Sequence, residues 1–207
     1  MVRVFTNHSD FNFSYLFIAN RKHMKQPYNQ RKPYVKTGEI YFVTATIHSW
    51  HHLLLKPEFK EIILQSMQWL SEKRKWEIFA FVIMPNHIHM IIRTIDMNGK
   101  ETPMGSFLKY TAHEFKKMLL TGDREMLELY RVHATNKKYE FWQRDSLAIQ
   151  LYTPAVAFQK LNYIHLNPLA EHWQLATDPC DYIYSSTSFY EKDDRQFLFL
   201  KDLRNEF

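Results

Sequence analysis

The chain has little cysteine, little glycine and no long apolar run, and each scarcity excludes a class of protein. A single cysteine, Cys180, excludes an intrachain disulfide and a cysteine-rich zinc site. With four glycines and neither a GxGxxG nor a GxxxxGK[ST] pattern, a glycine-rich phosphate loop is not expected. No apolar stretch approaches the roughly 20 residues that span a bilayer, so we expect no membrane partner. The lone cysteine favours a reducing, cytoplasmic location.

The composition is instead that of a folded protein. Hydrophobic residues make up 45% and aromatic residues 16% of the 207 positions, which is enough for a core and argues against a disordered binding arm. The formal net charge of +5 is compatible with a polyanionic partner, although many basic proteins have none.

The pattern predicts three segments along the chain. Residues 1–33 mix polar and basic side chains without a period, which predicts a poorly ordered or loosely docked arm. Its basic residues, together with Lys36, could contact phosphates or form a solvated tail. Residues 34–190 are predicted to form the folded domain, and residues 191–207 to form a C-terminal tail.

Periodicity within the domain predicts strands and helices in a definite order. In chain order these are a strand at Glu39–Ile47, a helix opening at Pro57, one or two buried strands within Glu77–Ile92 interrupted at Pro85, a helix from Ser106 to about Leu120, and a helix from Thr153 to about Asn167. Thr121–Lys138 is expected to be a variable loop or a short helix, and the region after Pro179 to be irregular. This order predicts an α+β fold, a ferredoxin-like or RRM-like antiparallel sheet with helices packed on one face.

Two histidines occupy alternate positions of the predicted strand after Pro85. His87 and His89 point to the same face because side chains two apart on a strand do so. Neutral imidazoles side by side could bind one divalent metal ion. An isolated His-x-His is more often a pair of hydrogen-bonded strand histidines, and a metal site would need a third ligand.

The last predicted helix carries a tyrosine and an asparagine one turn apart. Tyr163 and Asn167 share a face, and Lys160 lies three residues before the tyrosine. An amide oxygen can ligate a hard cation, and a tyrosyl oxygen beside that cation could attack a phosphodiester. Taken alone, the pair is more simply a helix C-terminus with a tyrosine packed at the rim.

Together these segments resemble the single-tyrosine transposases of the HUH superfamily, most closely the REP-associated tyrosine transposase type. The matching segments are Tyr41–Thr44, Phe81–Ile92 with its Met-Pro-Asn-His-Ile-His run, Trp142-Gln143, Tyr163–Pro168 and Tyr184–Ser186. After Pro168 the family usually reads V-x-A-G, whereas this chain has Leu169-Ala170-Glu171-His172. The histidine often found shortly after Trp142-Gln143 is replaced by Arg144 and Asp145.

The resemblance implies that residues 34–190 are a catalytic domain and assigns roles within it. His87, His89 and Asn167 would be the metal ligands for Mg²⁺ or Mn²⁺, and Tyr163 the catalytic nucleophile. The implied activity is cleavage and rejoining of single-stranded DNA through a 5′-phosphotyrosine, with a DNA hairpin as partner and a homodimer left open.

Basic side chains outside this set are candidate DNA contacts. These are Lys160, Lys109, Lys116, Lys117 and Arg144. The sequence leaves two other functions open, a non-catalytic single-stranded nucleic-acid-binding module with an RRM-like fold and a metal-dependent phosphodiesterase that uses water. Tyr182 and Tyr184 are interpreted as packing residues, His48, His51 and His52 as loop residues, and Trp69, Trp76 and Trp142 as core.

Overall fold

A computed structural model describes residues 35–135, 137–144 and 146–207. The N-terminal arm predicted for residues 1–33 lies outside the described residues. No helix within the described ranges is long and apolar enough to cross a membrane. The strands are β1 (Ile40–Thr46), β2 (Trp76–Ile83), β3 (His87–Thr94), β4 (Arg131–Ala134), β5 (Lys137–Tyr139) and β6 (Leu147–Gln150). The helices are α1 (Pro57–Glu72), α2 (Pro103–Gly122), α3 (Arg124–Glu128), α4 (Pro154–Leu166) and α5 (Thr187–Lys192).

The main sheet has the strand order β2-β3-β1-β6, and every neighbouring pair is antiparallel. In this sheet β6 takes the place of the fourth strand of a ferredoxin-like unit, next to β1. The predicted fold class, an α+β antiparallel sheet with helices packed on it, is therefore confirmed. A separate two-stranded ribbon, β4-β5, precedes β6.

Helices pack on both faces of this sheet, so the prediction of a single covered face was wrong in that detail. Strand alternation sends Ile88, Met90 and Ile92 of β3 into one core, which also contains Phe59 of α1 and Phe107 of α2. Ile91 of the same strand enters a second core together with the buried side chains of α4, namely Ala157, Leu161 and Ile164. The side chains of one strand alternate between its faces, so each layer receives half of them.

Several local predictions need correction. Helix α2 begins at Pro103 rather than Ser106, because the Thr102 hydroxyl caps it by accepting from Gly105 N at 3.1 Å. The segment predicted as a loop or short helix contains α3 and most of the β4-β5 ribbon, and the region after Pro179 contains α5. Trp69 is 48% exposed on α1 rather than buried.

The turn between β2 and β3 is held in place by backbone hydrogen bonds. Pro85 lies in this turn, and its carbonyl accepts from Leu54 N at 2.9 Å. The Asn86 carbonyl accepts from Ile47 N at 2.8 Å. The turn is thereby fixed against the end of β1, which sets the position where β3 and its histidines begin.

The C-terminal residues pack against β2. Lys201 N donates to the Ile78 carbonyl at 2.9 Å, and Leu203 is fully buried in the second core. Glu206 forms an ion pair with Arg93 of β3. Residues 200–206 thus cover the first part of the edge strand β2, and Tyr184–Ser186 pair with its other end, so that little of its backbone is free to pair with another chain.

Candidate active site

Strand β3 places two buried imidazoles side by side at the α4 face of the sheet. His87 lies opposite Thr46 and His89 opposite Thr44 on β1. Their ring centroids are 4.7 Å apart, and the two residues are 8% and 6% exposed. Because they alternate with the apolar Ile88, the strand can bury an aliphatic core on one face and present both rings on the other.

Each imidazole is oriented by a hydrogen bond at its Nδ1 atom. His87 Nδ1 donates to Asn86 Oδ1 at 2.7 Å, and Asn86 Nδ2 in turn donates to the Trp50 carbonyl at 3.3 Å. This second bond identifies Oδ1 as the acceptor facing His87, so the Nε2 atom of His87 is left with a free lone pair. His89 Nδ1 lies 2.8 Å from Thr44 Oγ1, and donation from Nδ1 to this hydroxyl would free His89 Nε2 in the same way.

Helix α4 brings Tyr163 onto the histidine pair. Thr153 Oγ1 caps the helix and Pro154 occupies its first turn, which sets where it begins. The Tyr163 ring is 46% exposed, yet its hydroxyl lies 3.4 Å from His89 Nε2. The ring also contacts Phe42 edge-on at a centroid distance of 6.0 Å, which fixes its direction.

Asn167 ends α4 with a buried amide whose oxygen has no hydrogen-bond partner among the residues that the structure describes. The residue is 9% exposed, and Oδ1 is fully buried without a donor. The amide lies close enough to His87 and Tyr163 to shift the pKa of both side chains. A buried acceptor without a partner costs stability, which makes this oxygen a candidate ligand for a cation.

Burial keeps both histidines neutral. Desolvation is the main cause that lowers the pKa of His87 to about 4, a shift that the Asn167 amide partly opposes and His172 reinforces. Desolvation is again the main cause that holds the pKa of His89 well below its usual value, and the neighbouring His87 and Lys160 side chains add to it. Neutral imidazoles are the form that binds metal ions. Burial raises the pKa of Tyr163, and Asn167 partly offsets this, so the phenol is protonated at neutral pH.

The donor set fits a divalent cation. The two neutral imidazoles and the buried Asn167 amide lie together beside the Tyr163 hydroxyl, which is 3.4 Å from His89 Nε2. In the described ranges no group of three His, Cys, Asp or Glu side chains could hold a metal ion. The fit therefore depends on Asn167 as the third ligand. An all-oxygen set would favour Mg²⁺ or Mn²⁺, whereas a set of two nitrogens and one oxygen also accepts other divalent metal ions.

Of the candidate DNA contacts, Lys160 is the one that the structure places beside these residues. Its ammonium lies 5.0 Å from the Phe42 ring centroid and 5.7 Å from that of Tyr163. The others lie elsewhere. Lys109 pairs with Glu101 at 2.7 Å and Lys117 with Glu114 at 3.6 Å, both from α2, which packs into the core on the opposite side of the sheet. Lys116 on α2 lies over Tyr139, and Arg144 pairs with Glu140 at 3.0 Å.

The other tyrosines and histidines considered from the sequence do not join the set. Tyr182 is buried and its hydroxyl donates to the Ile83 carbonyl at 2.6 Å, while the Tyr184 ring lies under the Lys60 ammonium at 4.1 Å. His51 packs on Tyr130 at a centroid distance of 5.5 Å. His52 lies 5.7 Å from the Trp173 ring, at the margin of the site.

Sequence reasoning missed residues that position or surround the site. Thr44 was noted only as part of a matching segment. Together with Thr46 it interrupts an otherwise apolar strand, and this polarity is the signal that could have identified its role. Trp50 and Trp173 lie near His87 with no pattern to mark them. In place of the glycine expected after Pro168, the chain turns through Gln174 in the left-handed region at φ 47°, with Trp173 N donating to the Ala170 carbonyl at 2.7 Å.

The fold is shared with a solved transposase. The structure of a REP-associated tyrosine transposase bound to a REP hairpin superposes with a TM-score of 0.53 at 17% identity, covering 78% of this chain and 82% of that chain. A crystal structure from Deinococcus radiodurans, described as that of a transposase, covers 68% of this chain and 95% of that chain at 16% identity and a TM-score of 0.33. No curated protein sequence matches the chain.

The sheet and its histidine strand are those of a DNA transposase fold. The model of the IS200-like transposase family matches residues 37–146, more than half of the chain. The protein belongs to this family, and the relationship predicted from its motifs is confirmed. The match includes His87 and His89 and ends before α4, so the assignment of Tyr163 and Asn167 depends on geometry.

Proposed function

We propose that this transposase cleaves and rejoins single-stranded DNA through a covalent 5′-phosphotyrosine on Tyr163. In this proposal His87, His89 and Asn167 hold one divalent cation, Mg²⁺ or Mn²⁺. The observation that carries it is the convergence of the Tyr163 hydroxyl on His89 Nε2, at 3.4 Å, beside the unsatisfied Asn167 oxygen.

The reaction is an exchange of phosphate ester bonds. Tyr163 Oη forms a bond to phosphorus and loses its proton, the bond from phosphorus to the 3′ oxygen breaks, and that oxygen takes up a proton. The 5′ end is then joined to the protein and a 3′-OH is free, so the bond energy is conserved for rejoining. When bound, the cation would neutralise the nonbridging phosphate oxygens and lower the pKa of the attacking hydroxyl.

The protein's own side chains prepare this step in three ways. Asn86 and Thr44 contact the Nδ1 atoms of the two rings, which leaves the Nε2 atoms for the Tyr163 hydroxyl or a cation. Phe42 holds the Tyr163 ring edge-on, so the hydroxyl points inward although the ring is half exposed. Lys160 adds a positive charge next to the tyrosine, where phosphate charge and phenolate charge would both develop.

A labelled single strand from the gene's own flanks, incubated with the protein and Mn²⁺ and resolved on a denaturing gel, tests the nucleophile. We expect a protein-linked DNA band for the wild type and none for Tyr163→Phe, which removes one oxygen and keeps the packing ring. Tyr152→Phe is the matched control, because Tyr152 is 77% exposed just before α4, and it should retain the band. An adduct that persists in Tyr163→Phe would contradict the assignment. Cleavage by the wild type without any adduct would favour the water-using phosphodiesterase.

The form of the substrate is tested with the same gel. The solved relative is bound to a REP hairpin, and we propose that this chain also takes a hairpin flanked by a single strand. A half-exposed tyrosine on a helix rim needs a strand that can bend toward it, whereas a duplex backbone is regular. We expect the adduct with the hairpin substrate and little with the fully paired duplex, and equal yields from both would exclude the proposed substrate.

A further inference from the structure

The surface beside His87 carries two tryptophans that the proposed chemistry does not use. The Trp50 side chain is 58% exposed, and its ring centroid lies 6.5 Å from that of His87. Trp173 follows α4, and its ring lies 5.9 Å from His87. Tyr163 packs instead against His89, at a centroid distance of 5.2 Å. The two indoles therefore border the His87 end of the site, and the nucleophile lies at the His89 end.

Trp50 is held in a backbone conformation that tryptophan rarely adopts. Ser49 and Trp50 have φ values of 53° and 60°, both in the left-handed region. A bulky residue there is an outlier, and such strain concentrates at functional sites because the surrounding structure must compensate for it. Glycine or asparagine would adopt this conformation at lower cost. The loop thus exposes an indole where backbone energetics favour another residue.

The same loop is attached to the residue that orients His87. The Trp50 carbonyl accepts from Asn86 Nδ2 at 3.3 Å, and Asn86 Oδ1 accepts from His87 at 2.7 Å. On the backbone, Trp50 N donates to the Ile47 carbonyl at 3.0 Å, and Ile47 N donates to the Asn86 carbonyl at 2.8 Å. The backbone that carries the exposed ring is therefore fixed relative to the His87 imidazole, as a binding platform requires.

We propose that Trp50 stacks an unpaired nucleobase of the DNA strand next to the phosphate that is cleaved, with Trp173 as a second aromatic wall. The position of that phosphate rests on the proposed function. A base is one sugar away from its own phosphate, so a base stacked at the rim would place the neighbouring backbone at the histidines. Indole rings accept any base face, so this subsite selects unpaired bases rather than a particular sequence.

Binding to two oligonucleotides without metal separates base stacking from phosphate contacts. The probes are a fluorescein-labelled single strand of about 12 nucleotides and an abasic strand of the same length, which keeps the phosphates and lacks the bases. We expect Trp50→Asn to bind the base-bearing strand about 10-fold more weakly, the scale of one base–aromatic stack, and the abasic strand as tightly as the wild type. Trp50→Phe should recover part of the loss because it keeps an aromatic face.

Trp69→Ala is the matched control, since Trp69 is 48% exposed on α1 and contacts Lys73 rather than the site. It should leave both affinities unchanged. Trp50→Asn should melt at or above the wild-type temperature, because asparagine adopts the left-handed backbone readily. A lower melting temperature with equal loss on both strands would mean that Trp50 has only a structural role and would overturn the proposal.

The result of the Trp50 binding test does not depend on whether Tyr163 forms a covalent adduct with DNA. Unchanged affinity of Trp50→Asn for the base-bearing strand, with a Tyr163 adduct still formed by the wild type, would overturn the stacking site alone. A selective loss in Trp50→Asn from a protein whose wild type forms no adduct would support the stacking site and remove the proposed chemistry alone.

Discussion

The two faces of the sheet differ in how completely they are filled. The face under α1 and α2 is packed with fully buried aromatic rings, and Phe59 and Phe115 meet edge to face at 5.4 Å. The face under α4 holds the two imidazoles, and beside them a half-exposed tyrosine and an amide oxygen that finds no partner in the described part of the chain. Because side chains alternate along β3, one strand supplies both environments. Substitutions on the packed face should therefore change the stability of the fold, and substitutions on the α4 face should change the chemistry of the site.

The largest effect is expected from the packed face. Phe115 is fully buried and contacts Phe59, Phe141 and Trp142. Phe115→Ala should lower the free energy of unfolding by about 3–5 kcal/mol, because it removes a buried ring and leaves a cavity. Urea denaturation followed by circular dichroism measures this loss.

Phe115→Ala should leave the chemistry of the α4 face intact, because Phe115 lies on the other face of the sheet. At a temperature where the variant is still folded, the yield of the Tyr163 adduct per folded molecule should match the wild type. Loss of the adduct in a folded variant would show that the α2 face controls the site, and the proposed separation of stability from reactivity would be wrong.

A smaller effect is expected at the residue that orients His87. Asn86→Ala removes the acceptor at His87 Nδ1 and the donor to the Trp50 carbonyl. Losing such an orienting partner typically weakens metal binding by about 10- to 100-fold, and calorimetric titration with Mn²⁺ measures it. Asn98→Ala is the control, since Asn98 Nδ2 donates to Ser106 Oγ at 3.0 Å away from the histidines. Equal metal affinity in the two variants would contradict the role given to Asn86.

Local patterns predicted most of the fold, and of the elements that they missed, β6 depends on long-range pairing. Composition and periodicity identified β1, α1, β2, β3 and α4, whose residues are neighbours in the chain. Strand β6 has four residues, and its register, with Tyr41 opposite Gln150, joins positions far apart in sequence. The start of α2 was a different error, because Thr102-Pro103 is the same capping signal that was recognised at Thr153-Pro154.

The sequence predicted those residues of the candidate site that share one face of a strand or a helix, because their spacing along the chain determines that face. The interval between His87 and His89 and that between Tyr163 and Asn167 define shared faces of a strand and a helix. Thr44 contributes only because it pairs with His89 across the sheet, and Trp50 only because its loop bends back onto Asn86. Such contributions depend on register and loop conformation, which one sequence does not reveal.

The smallest effect concerns the lysines, and it tests whether DNA is confined to the α4 face. Lys160 is next to Tyr163, whereas Lys109 and Lys117 on α2 are paired with carboxylates. If DNA contacts the α4 face alone, Lys160→Gln should reduce the slope of log affinity against log salt by about 1, the effect of one lost phosphate contact. Lys109→Gln should leave the slope unchanged, since that charge is already neutralised by Glu101.

Fluorescence anisotropy at several salt concentrations, with the hairpin substrate, measures both slopes. A reduction in Lys109→Gln equal to that in Lys160→Gln would mean that the DNA contacts both faces, and the α2 lysines would then join Lys160 as phosphate contacts.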